Sequence, residues 1–381
     1  MPDTLPPADR PFADREALKR DFLRQAGWGA ADRRPLTQDA SSRSYERLTL
    51  ADRSVLLMDA PRLEAPVAPT TAWEAERNAM GWNARARLAA CRVDAFVAVG
   101  SYLEGLGLST PRVLAHHAGH GFALVEDLGD NLYARAVPAG ADEVALYAEA
   151  GRALAVVQRA GIPKALGSRG GSWPLFLYDR LALTANADLF FEWQPAYDPG
   201  VRLTDADRGR WEVLRTDLVS RALARPRGFT VRDTMAENLL WLPEREGVRR
   251  VGLLDFQDAL IGWPEWDFAM LIHDARRDVS PEAGEAAIRA FLDDTGLDEA
   301  RFRESFSILG AINALRILGV FARLVHRDQK PKYAAFMDRE WGHLASALLH
   351  PSLAELRAFL VPRCDPLGAR ISAVATPEVT P

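Results

Sequence analysis

The residues best equipped for chemistry lie in Val231-Arg-Asp-Thr-Met-Ala-Glu-Asn-Leu-Leu-Trp241 and in Val251-Gly-Leu-Leu-Asp-Phe-Gln-Asp258. Asp233 and Asn238 stand five residues apart in a polar stretch, and Asp255 closes an apolar run. Carboxylates and an amide oxygen gathered at one place are what phosphoryl transfer needs. One carboxylate takes the proton of an acceptor hydroxyl. Another, with the amide oxygen, holds Mg²⁺, whose remaining ligands are waters and phosphate oxygens. Positioning and electrostatics then supply most of the rate. An Asp followed five residues later by an Asn is common by chance, and the same residues also suit turns and strand ends. The elements around them must decide between these readings.

Those elements read as a hairpin. Leu239–Trp241 and Val251–Leu254 are apolar strands, joined by Leu242–Arg250 with Pro243 and Gly247 in the turn. A hairpin sets the loop before its first strand beside the residue after its second, so Asp233, Asn238 and Asp255 converge. Upstream, Asp14 is expected to cap a helix carrying Leu18, Phe22 and Ala26, with Gly27 as its stop. A polar loop over Thr37–Ser44 leads into a hairpin, Tyr45–Leu50 and Val55–Met58. Residues 63–91 read as an accessory segment, helical from Trp73. A helix over Asp94–Leu106 and strands over Pro111–Ala115 and Phe122–Val125 follow. Beyond Glu126–Asp130 the pattern is mostly helical, apart from a flexible loop at Gly167–Ser172 and the region Thr230–Ile261. The expected division is a flexible tail to residue 13, a small α+β part over 14–127, a helical part over 128–363 and a second flexible tail over 364–381.

Composition narrows the function classes. The chain has 381 residues, 48% hydrophobic and 26% charged, with a net charge of −5, which fits a globular protein and argues against bulk nucleic-acid binding. Its two cysteines, Cys91 and Cys364, form neither a disulfide framework nor a zinc motif. None of its four lysines, Lys19, Lys164, Lys330 and Lys332, sits in a Walker A loop. The seven histidines accompany no Cys or carboxylate at metal-ligand spacing, and no Gly-x-Ser-x-Gly elbow is present. Leu309–Val325 is apolar but interrupted by Asn313, Arg316 and Arg323, so it reads as a buried helix and not as a membrane span. With no secretory signal legible, a cytoplasmic location is expected.

Seven stretches carry a family resemblance: Asp39-Ala-Ser-Ser-Arg-Ser-Tyr-Glu-Arg47, Val55-Leu-Leu-Met-Asp-Ala-Pro61, Gly121-Phe-Ala-Leu-Val-Glu-Asp-Leu-Gly129, Leu189-Phe-Phe-Glu-Trp193, Arg232-Asp-Thr-Met-Ala-Glu-Asn-Leu239, Gly252-Leu-Leu-Asp-Phe-Gln-Asp-Ala259 and Gly319-Val-Phe-Ala-Arg-Leu324. Over about residues 36–350 the chain resembles the kinase-like phosphotransferases of the aminoglycoside and choline kinase type. Within these it is most similar to the bacterial N-acetylmuramate/N-acetylglucosamine anomeric kinases of cell-wall recycling. The resemblance implies an α+β, bilobal, protein-kinase-like fold with a small sheet-containing N-lobe and a larger, mainly helical C-lobe. It implies ATP and Mg²⁺ as cofactors and a small-molecule sugar as substrate, with no nucleic acid, membrane or obligate protein partner. It casts Asp233 as catalytic base and Asn238 and Asp255 as Mg²⁺ ligands. Ser41, Ser42 and Arg43 would lie over the ATP phosphates, and the backbone of Glu126, Asp127 and Leu128 would meet the adenine.

Two positions depart from that pattern. Val231 replaces the usual His two residues before the catalytic Asp, and Met58 stands where most kinases carry a phosphate-pairing Lys. Arg43 or Arg47 is then expected to take over the phosphate charge, since a guanidinium grips phosphate through two bonds; a solvated strand-edge arginine is the plain alternative. Glu192 and Trp193, placed after a helix, suit a sugar by hydroxyl bonding and stacking, or pack in the core. Asp258 either helps position sugar or metal or takes a backbone hydrogen bond. Asn313, Arg316 and Arg323 share about a quarter of a helix circumference, either facing an acceptor carboxylate or forming a solvated stripe; the related kinases have Gln-Arg where this chain has Ile312-Asn313. Asp267 either caps a helix or braces the catalytic loop. Gln257 stands where regulated protein kinases have Gly, and the short path from Asp258 to Pro264 leaves no room for a long activation loop. The competing readings are another acceptor (an aminoglycoside, another amino sugar, or one linked to tRNA modification) and a catalytically impaired nucleotide-binding scaffold.

Overall fold

The computed structural model describes residues 10–36, 43–61, 67–89, 91–168 and 171–375. In the first lobe, helix α1 (Arg10–Gln25) is followed by strands β1 (Asp32–Pro35), β2 (Ser44–Leu50) and β3 (Arg53–Asp59). Short helices α2 (Glu74–Met80) and α3 (Trp82–Arg85), the longer α4 (Val93–Gly105) and strands β4 (Val113–His117) and β5 (Phe122–Glu126) complete it. The strands form one antiparallel sheet in the order β1-β2-β3-β5-β4.

Two-residue periodicity gives this sheet two apolar faces. Leu48, Val55, Leu57, Phe122 and Leu124 pack against Phe22, Leu23 and Trp28 of the α1 segment. Met58, Ala123 and Val125 face the other way, toward Phe96 and Val99 of α4. Asp14 does not cap α1, because the helix already begins at Arg10; Pro11 is tolerated in the first turn, where its missing N–H has no partner to lose. Residues 10–13 therefore belong to a helix and not to a tail.

The second lobe is mainly helical. Helices α5 (Tyr133–Ala136) and α6 (Glu143–Ala160) lead to a small hairpin, β6 (Leu166–Ser168) and β7 (Gly171–Trp173). Gly167, Ser168, Gly171 and Ser172, expected in a flexible loop, are instead paired in these strands, and buried Trp173 anchors the hairpin to the core. Helices α7 (Arg180–Tyr197) and α8 (Arg208–Leu223) follow. Glu192 and Trp193 lie within α7 and not after it, since the helix runs through Pro195.

Next come four short strands, β8 (Gly228–Thr230), β9 (Leu239–Trp241), β10 (Val251–Leu253) and β11 (Leu260–Gly262). They form two nested antiparallel pairs: β9 with β10 inside, β8 with β11 outside. Helices α9 (Pro264–Ile272), α10 (Pro281–Thr295), α11 (Glu299–His326), α12 (Met337–Leu348), α13 (Ala354–Leu360) and α14 (Asp365–Ala375) complete the lobe.

Asp142, Asp179, Ser280 and Asp298 start α6, α7, α10 and α11 by accepting a hydrogen bond from the first turn. Helix α11 is long and apolar enough to cross a membrane by length and composition, but 72% of its apolar window is buried inside the molecule. The expected tail beyond Cys364 is instead helix α14 as far as Ala375. Buried Cys364 and Leu367 hold it to the core, and Arg202 pairs with Asp365 at its start.

Candidate active site

The nested strand pairs create the site. The segment between β8 and β9 holds Asp233 and Asn238, and the segment between β10 and β11 holds Asp255, Gln257 and Asp258. Because β9 pairs with β10 and β8 with β11, both connections are confined to the gap between the two ladders. The Leu254 N–H bonds to the Asn238 carbonyl at 2.9 Å, which joins the two connections directly.

The catalytic-type loop is held from below. Asp267, inside α9, accepts hydrogen bonds from the backbone N–H groups of Val231 (2.9 Å) and Arg232 (2.6 Å). It does not cap α9; Trp263 occupies that position. Thr234 donates its hydroxyl to the Asp267 carbonyl at 2.6 Å, and Asp274 accepts from the Ala236 N–H at 3.0 Å. Val231 is buried, so its side chain packs while its N–H is held by the carboxylate. Burial pushes Asp267 up to about 7, while the two N–H donors favour its charged form.

Asp233 projects from this braced loop. Burial pushes its carboxyl up to about 6; Arg232 and Arg316 pull it down, and Asp255 and Asp258 push it further up. The charge of Asp255 thus reaches the Asp233 carboxyl, and the Leu254–Asn238 backbone bond ties the two segments together. The Asn238 amide nitrogen donates to the Asp233 carbonyl at 2.8 Å. That bond fixes the amide orientation and leaves Oδ1 as an acceptor. Asp255, at a positive φ of 55°, is bound by Arg43 and accepts from Gln257 Nε2 at 2.9 Å. An amide oxygen and a neighbouring carboxylate, both hard oxygen donors, fit Mg²⁺, which needs only one or two protein ligands beside phosphate and water. Among the described residues no group of three or more His, Cys, Asp or Glu forms a ready-made metal cage.

The two arginine candidates go to different places. Arg43 reaches both Asp255 and Gln257. Arg47 binds Asp127 through two bonds (2.7 and 3.1 Å) and Asp130 through two more (2.8 and 2.9 Å), at the crossing between the lobes. The backbones of Arg43 and Arg47 lie about 13 Å apart along the extended chain, and their different carboxylate partners hold the two guanidinium groups apart. Asp127 also accepts from Ser54 and from the Gly129 N–H, and Glu126 binds Arg112 and Arg245. Leu128 is half-buried beside them. Ser41 and Ser42 lie outside the described residues. Lys19 gives no help in the cleft: its Nζ is held by Glu16, Glu46 and Asp59 on the α1 side of the sheet, opposite Met58.

A cavity of about 120 Å³ opens beside Asp233, lined among others by Met235, His273, Asp274, Arg276 and Arg316. Asn313 is buried next to it and accepts from Arg316 at 3.1 and 2.8 Å. Glu192 and Trp193 do not line this cavity; Trp193 packs against the helical core under Arg327. Asp258 accepts from the Ala89 N–H at 2.6 Å, the backbone role. Sequence reading missed Asp274 and the lining residues Met235 and Arg276. Only a fold that turns the chain after α9 back toward Met235 reveals them.

Similarity to known proteins agrees with this geometry. A family profile described as a phosphotransferase enzyme family matches residues 32–304. The chain is 47% identical over 349 residues to an N-acetylmuramate/N-acetylglucosamine kinase of Caulobacter vibrioides, covering 91% of this chain and 96% of that protein. It is 32% identical to the kinase of the same description from Pseudomonas aeruginosa, covering 88% and 90%. Its fold resembles a choline/ethanolamine kinase family protein from Mesorhizobium loti (TM-score 0.55, 16% identity, 91% of this chain and 99% of that one). It also resembles the ADP-bound aminoglycoside phosphotransferase APH(2'')-Ib (TM-score 0.51, 13% identity, 87% and 98%). With a bilobal fold, a braced acidic loop between the lobes and this extent of sequence agreement, the chain belongs to the phosphotransferase enzyme family and is an ATP-dependent phosphotransferase.

Proposed function

We propose that the protein transfers the γ-phosphoryl group of ATP to the anomeric hydroxyl of an N-acetylated amino sugar, N-acetylmuramate or N-acetylglucosamine. The observation that carries this reading is Asp233, which lines a cavity on one side while its backbone carbonyl accepts from Asn238, whose own carbonyl accepts from the residue before Asp255. Asp233 accepts the proton of the attacking hydroxyl, and a base with a pKa near the working pH suits that task. Asn238 and Asp255 hold Mg²⁺, which when bound neutralises charge on the phosphates. Ser41, Ser42 and Arg43 serve the phosphate end, and the backbone over Glu126–Leu128 serves the adenine end. Arg47 stays on the lobe crossing and does not replace the absent lysine.

Two competing readings fare worse. An aminoglycoside is polycationic, and a cavity where two guanidinium groups offset two carboxyls offers it no net attraction. A catalytically impaired scaffold has no need of a loop braced by both Asp267 and Asp274; that bracing supports an active loop despite Val231. The deciding assay is Mg²⁺-dependent ATP turnover with each sugar, wild type against Asp233→Ala. The expected result is turnover by wild type and a loss of about 10²- to 10⁴-fold in the variant. Turnover of neither sugar by wild type, or full activity in the variant, overturns the proposal.

A further inference from the structure

The cavity beside Asp233 holds two acids, Asp233 and Asp274, and two guanidinium groups, Arg276 and Arg316, but these are not partnered alike. Of its acidic lining groups, Asp274 is committed to the backbone: one oxygen takes the Ala236 N–H and the other the Arg276 N–H. Arg276 is itself paired, its Nε lying 3.1 Å from Glu237. Burial drives His273 down to about 3, so this ring is neutral. Arg316 differs from the others. Its guanidinium is held by the neutral amide of Asn313, by the Met270 sulfur at 3.4 Å and by the Trp266 ring at 5.5 Å. Among the described residues it forms an ion pair with no carboxylate. Asn313 and Trp266 are both buried, so the head group is fixed before any ligand arrives.

A half-buried guanidinium, pre-oriented by neutral groups and sharing a cavity with Asp233, calls for an anion from outside. We infer that Arg316 is the specificity-determining residue that binds the carboxylate of an acid-bearing acceptor sugar, while Asp233 faces its reacting hydroxyl. This rests on the proposed function and deepens it. A carboxylate carried on the same sugar ring as the reacting hydroxyl lies within one monosaccharide's length of it, and Asp233 and Arg316 line one cavity. The neutral sugar fits the same cavity and leaves Arg316 without a counter-charge. Asn313 is a positioning residue: it orients Arg316 and touches no substrate.

The test compares N-acetylmuramate, its carboxyl amide and N-acetylglucosamine as acceptors at saturating ATP, with wild type, Arg316→Gln and Arg316→Lys. Because acceptors are compared within one protein sample, the fraction of folded enzyme cancels. Wild type is expected to lose about 10- to 100-fold in kcat/KM from acid to amide, mostly in KM. Arg316→Gln is expected to abolish the difference between acid and amide, over and above any loss common to all three acceptors, and Arg316→Lys to restore part of it. Equal rates for acid and amide with wild type overturn the inference and need no variant. A difference between acid and amide that survives unchanged in Arg316→Gln overturns it too, by showing that Arg316 acts only through Asp233. Failure of wild type to phosphorylate any of the three is a different result: it overturns the proposed function itself.

Discussion

At Asp233, burial outweighs the two nearby guanidinium groups and lifts the carboxyl to about 6. A base must be unprotonated to accept a proton, so kcat/KM is expected to fall tenfold per pH unit below about 6. A profile flat down to pH 5 removes Asp233 from that role. The same shift acts on stability. The folded state holds this proton more tightly than the unfolded chain, so stability drops as pH rises from about 4 through about 6. Asp233→Asn is therefore expected to abolish turnover and to raise the Tm at neutral pH, as thermal unfolding of the two proteins at pH 7.5 will show. Arg43 invites a second measurement. Its guanidinium bonds Asp255 and Gln257, so the cation reaches the metal-type corner from the residue that precedes β2. Arg43→Ala is expected to raise the KM for ATP about tenfold; an unchanged KM shows that Arg43 does not meet the phosphates.

The helices depend on close backbone approach at particular residues. Gly319 lies where α11 crosses α7. A Cβ there would sit 2.3 Å from the Leu189 carbonyl carbon, which is backbone and cannot swing away. Gly319→Val is expected to destabilise the protein by on the order of 3 kcal/mol, measured by urea unfolding. A loss below about 1 kcal/mol would mean that the helices separate freely. This crossing also sets where α11 presents Arg316, so such a variant should weaken acceptor binding before it affects the nucleotide side. Asp267 makes the corresponding link for the strands: one carboxylate on α9 ends two backbone N–H groups that would otherwise be buried without partners.

Over the whole molecule, the segment read as accessory proves to be the bond between the lobes. Arg77, 2% exposed, pairs with Asp179 and donates to the Ala84 and Arg85 carbonyls. Arg87 reaches the same Asp179. Arg232, at a positive φ of 89°, donates to the Ala86 and Arg87 carbonyls, and Asp258 accepts from the Ala89 N–H. The residues flanking Asp233 and Asp255 thus hold a strap that begins in the small lobe. Arg77→Ala is expected to cost about 2–3 kcal/mol, because the Ala84 and Arg85 carbonyls lose their donor while Asp179 keeps Arg87. It should also make the segment around residue 85 susceptible to proteolysis; an unchanged Tm with an unchanged digestion pattern shows that the strap does not join the lobes.

Local pattern alone determined the paired strands around Asp233 and Asp255, the alternation of the first sheet and the burial of α11. Each of these depends on residues within a short stretch, where apolar period and turn residues suffice. Long-range packing decided the rest. Arg43 and Arg47 have the same residue type and lie on one run of chain, yet only partners more than 200 residues away draw Arg43 to Asp255, while Asp127 and Asp130 hold Arg47 at the lobe crossing. The helical end beyond Cys364 forms because Leu367 finds a core to enter. Among the described residues Arg316 makes no close ion pair, because the folded chain surrounds its head group with Asn313, Met270 and Trp266. Which charges a fold leaves unpaired depends on every neighbour at once, and no spacing along the chain records that.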